Sequence, residues 1–121
     1  MDTQQTANRL VELCRLGENM QAIQELYADH IVSKEIPGTP NEVITGKDEV
    51  IKKSENWFKE VEEFHSSHIS DPVVANNYFS CKMKMDCTFK KEGRMQIEEL
   101  AVYKVDNGKI VEEQFFYNMP N

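Results

Sequence analysis

The sequence predicts an α+β domain in which helices pack on a curved, mostly antiparallel sheet. Three observations carry the prediction. Apolar residues recur at three- and four-residue intervals from Leu10 to Val61, with one short strand-like run between. From Phe64 onward the spacing falls to every second residue. Turn residues at Lys91-Glu92-Gly93 and at Asp106-Asn107-Gly108-Lys109 then fold that second half into a meander.

Each element has its own cause. Leu10, Leu13 and Cys14, followed by Met20, Ile23, Leu26 and Tyr27, form two short amphipathic helices broken at Gly17, with Asn19 placed to cap the second. Ile31 to Ile36 reads as a strand, and Pro37-Gly38-Thr39-Pro40-Asn41 as a loop, because two prolines remove backbone donors. Thr45-Gly46-Lys47-Asp48 resembles a capping box with Asp in place of Glu. The long helix after it carries Val50, Ile51, Trp57, Phe58 and Val61 on one face, and Lys52, Lys53, Glu55, Lys59, Glu60 and Glu62 on the other. Phe79, Cys81, Met83, Met85, Cys87 and Phe89 alternate with polar residues, the pattern of a strand buried on one face. Met95 to Val105 repeats that pattern, and Ile110 to Tyr117 supplies the last strand.

With 121 residues, the chain suits a single domain spanning 1–121, and 40% hydrophobic with 29% charged residues is a globular composition. A net charge of -7 argues against a nucleic-acid partner, which would need clustered Lys and Arg. The cluster of Lys82, Lys84, Lys90, Lys91 and Arg94 is interrupted by Asp86 and Glu92 and reads as a solvated sheet face. No apolar run reaches the roughly 20 residues of a membrane span, and the polar start lacks the basic end of a signal peptide, so a cytoplasmic location and no membrane partner are expected. Cys14, Cys81 and Cys87 match neither a disulfide framework nor a zinc site and read as core filler.

Polar residues that fall in phase with a buried face are the candidates for chemistry, because an ionisable group there needs a partner or a ligand. Glu99 is in phase with Ile97, Ala101 and Tyr103, Glu113 with Val111, Phe115 and Tyr117, Glu35 with Ile31, and His65 with Ser67 and Ile69. Gathered together, they would form an acid-base site in which crowding raises a carboxyl pKa. Glu35, His65 and Glu99 are the expected catalytic groups. Glu113, Tyr117, Tyr103, Trp57, Cys81, Met83 and Phe115 are the expected ligand-binding lining. No phosphate loop, nucleophile elbow or local metal-ligand spacing is present, and neither metal nor cofactor is expected.

Tyr27-Ala28-Asp29 leading to Glu35, Gly46 before the long helix, Asp71-Pro72-Val73-Val74, and Tyr103 to Val111 running into Phe115-Phe116-Tyr117 resemble the nuclear transport factor 2-like superfamily. Within it they resemble the SnoaL-like group, which is similar to ketosteroid isomerase. The resemblance implies a conical α+β barrel of cystatin-like type, a homodimer packed through the sheet, and an apolar cavity for a small hydrophobic molecule. It places Glu35 where ketosteroid isomerases keep the aspartate that moves a proton between carbons. Leu10, Val11 and Ala101 stand where those enzymes keep oxyanion donors, so steroid isomerisation itself is not implied. What is implied is an isomerase, cyclase or dehydratase acting on a carbonyl or ring metabolite. The alternative is a non-catalytic binding module that uses the cavity or the polar face around Lys82, Lys84 and Asp86.

Overall fold

A computed structural model of the chain describes residues 1–118. Residues 119–121 of the expected single domain lie outside the described residues. Ten elements follow one another: α1 (Thr3–Arg15), α2 (Asn19–Leu26), β1 (Tyr27–Lys34), β2 (Val43–Thr45), α3 (Lys47–Glu60), β3 (Val61–Ile69), β4 (Val73–Ala75), β5 (Tyr78–Phe89), β6 (Gly93–Asp106) and β7 (Lys109–Phe116). The sheet runs β2-β1-β7-β6-β5-β3, with β4 on β5. It is curved and unclosed, with the three helices on its concave side. All pairs are antiparallel except β1 with β7, which are far apart in the chain and run parallel.

The α1 helix starts at a capping box of Asp2 with Gln5. Asn19 does not cap α2; Glu18 stands at the cap without a side-chain bond. The chain leaves the helical conformation at Tyr27, so Tyr27-Ala28-Asp29 opens the strand rather than ending the helix. Nor does Asp48 complete a capping box. Gly46 is the N-cap of α3 at φ 102°, a conformation open to glycine, and Asp48 and Glu49 instead place negative charge in the first turn.

Leu10, Leu13, Ile23, Leu26, Ile31 and Val50 pack against Phe79, Cys81, Ala101, Tyr103, Val105 and Ile110 to close one end of the cup. Toward the other end burial weakens, and along β6 the inward residues change from buried at Ala101 to half-buried at Glu99, Ile97 and Met95. That open end is where polar side chains on the concave face become reachable. Lys82, Lys84, Arg94 and Glu98 stand on the convex face. No helix among the described residues is long and apolar enough to cross a membrane.

Candidate functional site

Pleating decides which residues meet inside the cup. Ser33 lies opposite Glu113 in the parallel β1–β7 pair, Glu113 opposite Tyr103, Phe115 opposite Ala101, and Glu99 opposite Met83. All therefore share the concave face, and Glu35 and Tyr117 follow in the same phase just beyond the ends of β1 and β7. α3 crosses above them and lowers Lys53 into the middle.

Lys53 organises the cluster. Its ammonium lies 2.8 Å from Glu35 Oε1, donates to Ser33 Oγ at 3.1 Å, and stands 5.4 Å from the centre of the Phe115 ring. The other Glu35 oxygen accepts from the Tyr117 hydroxyl at 3.0 Å. Ser33 passes the chain inward, donating at 2.7 Å to Glu113, whose second oxygen accepts from the Tyr27 hydroxyl. One hydrogen-bonded path thus runs from the buried floor, Tyr27-Glu113-Ser33, through Lys53 to Glu35 and Tyr117 at the mouth.

Burial pushes the Glu113 carboxyl above its ordinary range, outweighing the donors Tyr27 and Ser33, which favour the anion. Glu99 is pushed up to about 7, first by burial and then by the negative charges of Glu35 and Glu113, with Lys53 acting the other way. A carboxyl near neutrality can give or take a proton at working pH, the property general acid-base chemistry requires. Burial also pushes the Cys81 thiol up to about 12, which leaves it a packing group rather than a nucleophile.

The expected residues divide. Glu35, Glu99, Tyr117, Met83 and Phe115 come together toward the open end, and Glu113 joins them from the buried floor through Ser33 and Lys53. Tyr103 and Cys81 lie beneath them as core, each 2% exposed, with Tyr103 stacked on Phe79 at 4.7 Å. Trp57 belongs elsewhere, in an aromatic cluster with Phe58, Phe64 and Phe89. His65 is not brought into the cup. Its Nε2 bonds Thr88 Oγ1 at 2.7 Å and its Nδ1 faces Glu63 at 3.7 Å, because a register break between Phe64 and Ser66 turns it to the convex side. Replacing His65 by alanine is accordingly expected to leave the titration of Glu99 unmoved in carboxyl-carbon NMR; a displaced Glu99 curve would put the imidazole back within reach of the cluster. Sequence reasoning missed Lys53, Ser33 and Tyr27 as site residues.

An open depression of about 610 Å³ lies past the end of β7 and straddles the sheet there, lined by Ile36, Glu99 and Tyr117 from the concave side and by Lys82, Glu98, Leu100 and Phe116 from the convex side. Among the described residues no three His, Cys, Asp or Glu side chains are arranged to hold a metal ion.

The fold is of the nuclear transport factor 2-like, cystatin-like type. It superimposes with a TM-score of 0.81 on a cystatin-like protein of unknown function from Xanthomonas campestris, at 14% identity over 98% of this chain and 92% of that one. A protein with a ketosteroid isomerase-like fold from Catenulispora acidiphila, solved with trimethylamine, gives 0.74 at 13% identity over 94% and 85%. A candidate SnoaL-like polyketide cyclase from Mesorhizobium loti, whose name also carries the label carbohydrate phosphatase, gives 0.90 at 36% identity over 97% of this chain and 100% of that one. The SnoaL-like domain matches residues 1–117, and the chain belongs to that family. No curated protein matches.

Proposed function

We propose that the protein binds a small apolar molecule carrying a carbonyl or an unsaturated ring at the open end of the cup and moves a proton on it, as an isomerase, cyclase or dehydratase would. The carrying observation is the convergence of Glu35, Glu99 and Glu113 around one cation, Lys53. In this reading Glu99 exchanges the proton, since it alone of the three combines a position on the depression with a carboxyl near neutrality. Glu35, held by Lys53 and Tyr117, is the neighbouring negative charge that raises Glu99. Met83 and Phe115 supply apolar surface beside them. Kinship with a candidate polyketide cyclase at 36% identity supports a ring-forming or enolisable substrate.

The test is exchange of carbon-bound hydrogen in D₂O, followed by proton NMR over a panel of cyclic and aryl ketones. The protein is expected to accelerate exchange for part of the panel, and Glu99→Gln to lower the rate by about 100-fold or more. Saturable binding of a ketone without exchange would sink the proton-transfer reading in favour of a carrier or sensor.

A further inference from the structure

We propose that the main-chain N–H of Glu98, on the stretch of β6 that β7 leaves uncovered, is the donor that receives the substrate's carbonyl oxygen as it becomes an enolate. The inference rests on the proton-transfer reading and adds to it the group that carries the negative charge. A base that takes a proton from carbon leaves charge on the neighbouring oxygen, and the reaction is slow unless a hydrogen-bond donor is already aimed there. The side chains do not supply one. Leu10, Val11 and Ala101 have no donor to offer. The Tyr117 hydroxyl gives its single proton to Glu35, Lys53 is held between Glu35 and Ser33, and Lys82 stands on the convex face.

Strand geometry does supply one. In an antiparallel ladder the N–H and C=O of one residue point to the same side, and those of the next residue to the other. Bonds at two places fix the phase along β5 and β6. Lys82 turns both groups toward Ser70, its N–H donating to Ser70 Oγ at 2.8 Å and its C=O accepting from Ser70 N–H at 3.0 Å, so Cys81 and Met83 face β6. Farther along, Val105 N–H donates to Asn77 O at 2.8 Å, on the β5 side of β6. The register between the two strands has no break from Gly93 to Lys104, so Ile97, Glu99 and Ala101 bond β5, while Gln96, Glu98, Leu100 and Val102 face the other way. There Val102 and Leu100 meet Gln114 and Phe116 of β7. The β7 strand stops at Phe116, Asn118 does not continue the ladder, and Glu98 N–H has no partner among the described residues.

The depression crosses the sheet at this point, lined by Glu98, Glu99, Tyr117 and Asn118. Glu98 N–H therefore opens beside the Glu99 carboxyl, the one pushed up to about 7. In the step, Glu99 as the carboxylate takes a proton from the carbon next to the carbonyl, and the C–H electron pair forms the C=C bond. The carbonyl π pair moves to the oxygen, which Glu98 N–H holds, and Glu99 then returns the proton to carbon. No further reagent enters. Because the donor is uncovered before substrate arrives, no ladder bond has to break for it to act.

Hydrogen exchange read by NMR on the unaltered protein is expected to show the Ile97 and Glu99 amides protected and the Glu98 amide open to solvent. Adding 4-nitrophenol at neutral pH, whose ionised form has the ring and anionic oxygen of an enolate, is expected to move the Glu98 amide proton downfield more than any other in β6. Glu98→Pro removes the donor at an edge position where proline is tolerated, and is expected to lower ketone exchange in D₂O by about 100-fold. Gln96→Pro removes the neighbouring uncovered N–H, away from the depression, and is expected to leave the rate unchanged. Should Glu98→Pro fold poorly, the two measurements on the unaltered protein decide. A protected Glu98 amide, a 4-nitrophenol that fails to move it, or equal rates in the two proline variants overturns the donor and leaves Glu99 standing as the proton carrier. An unaltered protein that exchanges no ketone removes the proton-transfer reading, and the donor with it.

Discussion

Replacing Glu113 by alanine is expected to cost about 3 kcal/mol of folding stability, enough to lower the melting temperature of a domain this size by about 10 °C. The magnitude comes from what the change leaves behind rather than from what it removes. Glu113 is 3% exposed and accepts from both Tyr27 and Ser33, which are themselves buried. Without it two hydroxyls lose their acceptor where water does not reach, and each such group costs about 1–3 kcal/mol. Glu113→Gln retains an acceptor oxygen of similar reach and is expected to cost about 1 kcal/mol, since burial already disfavours the negative form. Urea unfolding followed by circular dichroism checks both. Equal losses for alanine and glutamine would mean that side-chain volume, not hydrogen bonding, is what the floor of the cup requires.

That network shows how far the residues alone could be read. Glu99 and Glu113 were legible because a strand puts every second side chain on one face and both interrupt apolar stripes on strands whose pairing with β5 and β6 is regular near them. His65 was misplaced by the same rule: two register breaks in β3 shift the phase, and nothing in Glu63-Phe64-His65-Ser66 marks where the extra residue falls. Ser33 was within reach, since it lies in phase between Ile31 and Glu35. Tyr27 was read as the end of a helix because helical spacing extends through it, and only the switch to extended backbone at that residue aims its hydroxyl at Glu113.

Lys53 was assigned to the solvated face of α3 on the strength of its charge. Yet it stands three residues after Val50 and four before Trp57, the spacing of one helical face, and Val50 is the helix's most buried residue at 1% exposed. A lysine on the inward face of a helix is a sequence signal of its own, because the position is tolerable only where a carboxylate waits. The helix-then-meander order gave the α+β class, but the parallel pairing of β1 with β7 and the open edge of β6 depend on where distant segments stop, which no local pattern encodes.

Lys53→Met is expected to separate the electrostatic from the packing role of this residue through its dependence on pH. The ammonium is 23% exposed and faces Glu35, 17% exposed, at 2.8 Å; removing it leaves Glu35, Glu99 and Glu113 with their mutual repulsion unrelieved. Glu99 is expected to titrate about one unit higher than in the unaltered protein, since a cation that lowers its pKa is gone. The sign for stability follows. A carboxyl raised from 4.5 to about 7 binds its proton more tightly in the folded state, so its favourable contribution is complete below pH 4.5 and lost as pH rises through 7. The unaltered protein therefore gives up some stability between pH 5 and pH 8 on account of Glu99. The variant gives up more, because its raised carboxyls extend the window upward while Glu35 stays unpaired. Relative to the unaltered protein, Lys53→Met is expected to lose about 2 kcal/mol at pH 8, a figure reduced for partial exposure, and less than half of that at pH 5. Methionine preserves the apolar stem that rests on Phe115, so a loss of the same size at both pH values would assign Lys53 to packing and remove the charge balance on which the site is built.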